Sequence, residues 1–203
     1  MQAAVEAARQ AMARAATLKA DLALLLLTPD HEQAIPGAAR QVREVTRAGH
    51  VLGATVAGTL TTDGEMDQEA AAVMVLGGDL SLHPGLTPAS GRSREAGRDL
   101  GSRLATRSAD GSLLLLLADP IGLDPFAFLE GLRGEADVPL AGGGLAGSDG
   151  GALTFLDDRT ERGCVASLLI EGDFSATVDL THACMPLTAP MRVSRAAKNT
   201  IFE

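Results

Sequence analysis

His50-Val-Leu-Gly-Ala-Thr-Val-Ala-Gly-Thr59 decides how the chain is read, because its design returns as Pro139-Leu-Ala-Gly-Gly-Gly-Leu-Ala-Gly-Ser148. At a shift of about 89 residues, Val56-Ala57-Gly58 falls on Leu145-Ala146-Gly147. Each stretch is an apolar lead-in that passes into small residues and glycine, a pattern that lets another backbone or a ligand come close. Two such strands predict a duplicated unit carrying two related loops.

The surroundings of the two stretches repeat as well. Leu22-Ala-Leu-Leu-Leu-Leu-Thr28 follows Asp21, and Ser112-Leu-Leu-Leu-Leu-Leu-Ala-Asp-Pro120 mirrors Leu24–Asp30. Both runs are too short for a buried helix and apolar on both faces, which predicts central strands covered from two sides. A helix is expected over residues 3–18, where Val5, Ala8, Met12, Ala15 and Ala16 make an apolar stripe. A second is expected over 31–48, with a break near Pro36-Gly37 and Gly49 as its stop. In the second half, helices are expected over 94–106 and 125–135, the latter with Asp124 as N-cap and Pro125 at its first position.

Further strands are expected at 51–61, 70–76 and 80–83, then at 138–140, 152–156, 164–170 and 174–180. The pair 152–156 and 164–170 reads as a hairpin across 157–163, and residues 84–93, rich in Pro, Gly and Ser, read as a linker. The turns Gly77-Gly78-Asp79 and Glu171-Gly172-Asp173 match at a shift of about 94. The expectation is an α/β chain: internally duplicated helix–strand–helix–multistrand units forming two related mixed sheets with helices outside. Residues 1–203 would be one domain of two pseudo-repeats, approximately 1–88 and 89–185, with a C-terminal tail at 186–203.

Composition narrows the function. A formal charge of −9 argues against a nucleic-acid partner, which selects a basic face. Five Phe with no Tyr or Trp leave few stacking platforms for bases, so the core is built from Leu, Val, Ala and Met. No apolar run approaches the roughly 20 residues of a membrane span. The start, Met1-Gln-Ala-Ala-Val-Glu6, reads as an amphipathic helix rather than a signal peptide. Cys164 and Cys184 do not make a disulfide framework. A cytoplasmic location is the resulting expectation.

The order of these pieces resembles the N-terminal FIST domain, a sensory module of bacterial signal-transduction proteins that also occurs in some F-box proteins. The matching residues are Gly53-Ala-Thr-Val-Ala-Gly-Thr-Leu60, Gly142-Gly-Gly-Leu-Ala146 and Ala183-Cys-Met-Pro-Leu187, with the tail Val193-Ser-Arg-Ala-Ala-Lys-Asn-Thr-Ile-Phe-Glu203. The chain departs from the family pattern at Ala54, where a Cys is usual, and at Ala183, where a Gly is usual. The resemblance implies a single FIST N-like domain that binds a small molecule such as an amino acid and has no catalysis of its own. Its output would pass to a FIST C domain, which normally follows in the family, or to a separate signalling protein. Self-association into a homo-oligomer is a further expectation.

The ligand site is expected where the two glycine-rich stretches meet: Gly53, Thr55 and Gly58 from the first, Gly143, Gly144, Gly147 and Ser148 from the second, with His182 and Cys184 nearby. Gly142, Gly144 and Gly147 fit a G-x-G-x-x-G spacing, but no helix follows directly, so a dinucleotide fingerprint is not indicated. Thr55 and Ser148 either offer hydroxyls to a pocket or are ordinary strand and turn residues. His182 and Cys184 alternate along a strand, so they read either as a base beside a thiolate, for a hydrolase or transferase, or as a surface His beside a buried thiol. Some FIST-like proteins are described as haem sensors, for which His31, His50, His83 and His182 are the candidate ligands.

Overall fold

The structure, a computed structural model, describes residues 2–61, 64–106, 111–147, 150–179, 188–197 and 200–202. In chain order the elements are α1 (Gln2–Ala15), β1 (Leu22–Leu27), a 3-10 turn (Pro29–Ala34), α2 (Ile35–Thr46) and β2 (His50–Thr55). The short strands β3 (Thr59–Thr61) and β4 (Gly64–Met66) follow, then β5 (Ala71–Leu76) and β6 (Leu80–Pro88). The second half supplies α3 (Ser93–Leu104), β7 (Ser112–Ala118), α4 (Pro125–Arg133), β8 (Leu140–Gly144), β9 (Leu153–Leu156), β10 (Arg159–Arg162) and β11 (Cys164–Gly172). A small pair, β12 (Ala196–Ala197) and β13 (Thr200–Ile201), lies near the end.

The result is mixed α/β with two mixed sheets and helices on their outer faces. One sheet has the order β10-β9-β2-β1-β5, the other β6-β11-β7-β8. Leu22, Leu24 and Leu52 of the first sheet meet Ala166 and Leu168 of the second in a core between the sheets. The opposite face of β1 (Ala23, Leu25, Leu27) packs under Ala4 and Ala8 of α1 and Ile35 and Val42 of α2. Leu114, Val165 and Leu169 pack likewise under Leu100 of α3 and Phe128 and Leu132 of α4. The leucine runs are therefore central strands because both of their faces are covered.

Local plans in the two sheets run in parallel. β1 pairs parallel with β2 and antiparallel with β5; β7 pairs parallel with β8 and antiparallel with β11. Leu25 faces Gly53 and Val73 across its two ladders, as Leu116 faces Gly142 and Ser167 across its own. At the strand ends, the Val56 N–H donates to the Leu27 carbonyl (2.9 Å) and the Leu145 N–H to the Ala118 carbonyl (2.8 Å).

Five local expectations are corrected. Residues 84–88 are the second part of β6, not a linker; β6 is an edge strand, where Pro84 and Pro88 remove no needed ladder bond. The partner of β9 is β10, closing a tight turn at Asp157-Asp158, whereas β11 runs in the other sheet between β6 and β7. Helix α2 ends on Arg47 in the left-handed region (φ 53), two residues before Gly49. The 51–61 strand breaks at residues 56–58, and residues 174–179 are not in a strand. Asp124 does cap α4, its carboxylate accepting from the Ala127 N–H (3.0 Å), with Pro125 at the first position. No helix among the described residues is long and apolar enough to cross a membrane.

Candidate functional site

The two halves differ at the outer edge of the second parallel strand. In the first sheet the far side of β2 is taken by β9, with Gly53 opposite Phe155. A Cβ on Gly53 would run into the Phe155 ring and the Leu25 carbonyl oxygen, so only glycine lets the ring lie across β2. Phe155 is completely buried there, among Leu25, Val51 and the small Ala39 of α2. The space left between α2 and β2 amounts to about 170 Å³, and Asp157 and Asp158 of the β9–β10 turn close it.

In the second sheet β8 is the last strand, and among the described residues none pairs with its outer side. Gly142 is held at φ +144, and a Cβ there would strike the Leu116 carbonyl oxygen, as a Cβ on Gly53 strikes that of Leu25. Among the described residues, no strand brings a ring across Gly142 as β9 brings Phe155 across Gly53. What remains is a groove of about 470 Å³ floored by Leu116 and Ala118 of β7 and by β8. Phe128 and Leu129 of α4 form its wall, Pro120, Leu123 and Pro125 close one end, and Arg133 stands at the rim. Arg133 is exposed and has no hydrogen-bond or ion-pair partner among the described residues.

Chemically, the groove offers an apolar bed, the backbone edge of a glycine-rich strand that is unpaired among the described residues, and one cation. Apolar concavity with few polar groups is the usual make-up of a small-molecule site, and this volume lies in the usual range of several hundred Å³. An edge strand presents free N–H and C=O groups, and the glycines keep side chains from covering them.

Of the residues expected from sequence, Gly143 and Gly144 line this groove. Gly53 lies beneath Phe155 in the other sheet. Thr55 is fully buried, and its Oγ1 accepts from the Leu153 N–H (3.0 Å), so the hydroxyl ties β2 to β9. Gly58 packs against the backbone of Met66 and Asp67, and Gly147 against Gly151. The two loops do approach each other: Val56 and Leu145 share a small apolar cluster with Ala54 and Ala152. Ser148, His182 and Cys184 lie outside the described residues.

The remaining histidines and the other cysteine have their own surroundings. His50 Nδ1 lies 3.0 Å from Asp157 Oδ2, and His83 Nε2 lies 3.0 Å from Glu171 Oε2. His31 Nε2 is buried without a hydrogen-bond partner among the described residues. Among those residues, no group of three or more His, Cys, Asp or Glu is placed to hold a metal. Burial pushes the Cys164 thiol pKa up, and the Glu161 carboxylate pushes the same way, so the sulfur is held protonated. Asp119 is structural: its carboxylate accepts from the N–H groups of Ile121 (2.9 Å) and Ala152 (3.0 Å).

The groove's wall was not anticipated from sequence. Its signal was present in Phe128 and Leu129 on a helix that precedes the glycine run, and in an arginine at that helix's end. A helix face of this kind is normally spent on core packing, and nothing local tells which part of it stays uncovered.

No curated protein matches the chain. The family model described as the FIST N domain matches residues 21–203, a span that starts after α1 and takes in both sheets. The FIST domain is a sensory family of signal transduction. With a family model covering most of its length, the chain belongs to the FIST N domain family.

Proposed function

We propose that the chain is a cytoplasmic small-ligand-binding sensory module without catalysis of its own, and that the groove between α4 and β8 receives the ligand. The observation that carries this reading is the 470 Å³ apolar groove floored by Gly142, Gly143 and Gly144 on a strand edge unpaired among the described residues. The ligand class is an apolar amino acid or a similar small carboxylate. Its side chain lies between Phe128 and Leu116, its polar end hydrogen-bonds the β8 edge, and Arg133 pairs with the carboxylate. The signal passes to a FIST C domain or a separate signalling protein. The same reading takes residues 1–203 as one domain of two repeats, about 1–88 and 89–185, with a tail at 186–203. It is supported by the like pairing of Leu25 and Leu116 on their two ladders.

The test is a thermal-shift series with the standard amino acids on the purified chain. A ligand at 100 times its Kd adds about 2.7 kcal/mol, which raises Tm by several degrees. Gly144→Leu is the diagnostic variant, because a Cβ there meets only Pro120 at an ordinary 3.5 Å and the added chain fills the groove. It is expected to keep its own Tm and lose the response, and Arg133→Ala is expected to weaken the response. A Gly144→Leu protein that responds like the wild type removes the groove from consideration.

A further inference from the structure

The β9–β10 hairpin shows what the outer edge of a strand such as β2 accepts, and the chain contains a second hairpin of the same form. Thr61 pairs with Gly64, as Leu156 pairs with Arg159. In the next pair along, Leu60 stands opposite Glu65, where Phe155 stands opposite Thr160. Leu60 is therefore the positional counterpart of Phe155. Phe155 is fully buried over Gly53, yet Leu60 is 81% exposed, and Met66 on the same hairpin is 58% exposed.

The connectors explain the difference. Residues 145–152 carry the chain from β8 across to β2 in the other sheet, but only residues 56–58 separate β2 from β3. The short connector leaves β3 beside β5 at the edge of the first sheet, away from the edge of β8. An apolar hairpin and an apolar edge left open among the described residues are thus both present in one chain, and the chain does not bring them together itself. Ile121 and Phe126, next to groove residues Pro120 and Pro125, add large apolar surface at 87% and 79% exposure. Charge agrees: Glu65 on β4 and Asp67 and Glu69 just after it make the hairpin and its exit acidic, and Arg133 rims the groove.

We propose that the edge of β8 is a homodimer interface, on which the β3–β4 hairpin of a second copy pairs antiparallel and seats its Leu60 in the groove over Gly142. Transferring the register of β9 on β2 puts Leu60 opposite Gly142, Thr59 opposite Gly143 and Thr61 opposite Ala141. Main-chain bonds supply affinity and the seated side chain supplies register, as in other strand additions. Two reciprocal contacts of this kind form a closed twofold pair. The proposal deepens the ligand reading above, since it rests on the same groove: a bound ligand and the second copy's Leu60 exclude each other, so ligand binding releases monomers.

Sedimentation velocity over a concentration series tests it on the full chain. The wild type is expected to dimerise, with Leu60→Asp weakening the dimer about 100-fold and Leu60→Phe tightening it. Leu60 is exposed in its own chain, so neither change is expected to alter Tm of the monomer. A wild type that stays monomeric throughout, or a dimer that Leu60→Asp leaves unchanged, overturns the proposal. The two readings fail separately. A chain that binds no amino acid but dimerises through Leu60 keeps the interface, and a monomer that binds one keeps only the ligand site.

Discussion

The ring of Phe155 on β9 lies directly across Gly53 on β2, filling the space that a side chain at that glycine would take. This contact is one of those that tie residues 1–88 to residues 89–185, because β9 comes from the later stretch and β2 from the earlier one. It also explains the groove, which is the same place in the other sheet without the ring. Removing the ring is therefore expected to destabilise the fold as a large core truncation does, by about 3–5 kcal/mol for Phe155→Ala. Urea unfolding measures it, and a loss under about 1 kcal/mol would show that the ring is not a core element.

Neighbouring glycines on β8 should respond very differently. Gly142→Ala places a methyl group against the Leu116 carbonyl at φ +144 and is expected to cost more than about 1 kcal/mol. Gly143, whose Cβ would meet nothing within 4 Å, should accept alanine within about 0.5 kcal/mol. Equal midpoints for the two variants in denaturant would contradict the geometry of the edge.

Thr55 separates a structural hydroxyl from a ligand-binding one. Thr55→Val leaves the half-buried Leu153 N–H without its acceptor, at an expected cost of about 1–3 kcal/mol. Ligand affinity in the β8 groove should be unchanged, since Thr55 lies in the other sheet. A calorimetric titration that shows weakened binding by a stable Thr55→Val protein would return Thr55 to the site.

Cys164 should titrate late. Its thiol pKa is raised, first by burial and then by Glu161, so the folded chain holds the proton more tightly than the unfolded one. Its contribution to stability is intact below the unfolded thiol's pKa of about 8.5 and is lost as pH rises through the raised value. Peptide-resolved thiol labelling at pH 8 should therefore mark Cys164 only on unfolding. Rapid labelling in the native protein would mean the sulfur is accessible and ionised.

How much of this was legible beforehand depends on the range over which each feature is decided. The helices, the doubly covered leucine strands and the capping of α4 by Asp124 follow from periodicity and from side chains acting within a few residues. Asp119 and Thr55 show the limit. Their partners, Ala152 and Leu153, lie 33 and 98 residues away in sequence, just before β9 and on β9 itself. The prolines at 84 and 88 misdirected the reading of β6, because a proline's cost depends on whether its strand is an edge, and that is a property of the assembled sheet.

By itself the sequence determined the class and the layers: two mixed sheets, helices outside, and glycine-rich strands where something comes close. Only the tertiary structure decided what comes close to each. Phe155 covers Gly53, and no strand among the described residues covers Gly142, because strand pairing is non-local and an eight-residue connector crosses between the sheets where a three-residue one does not.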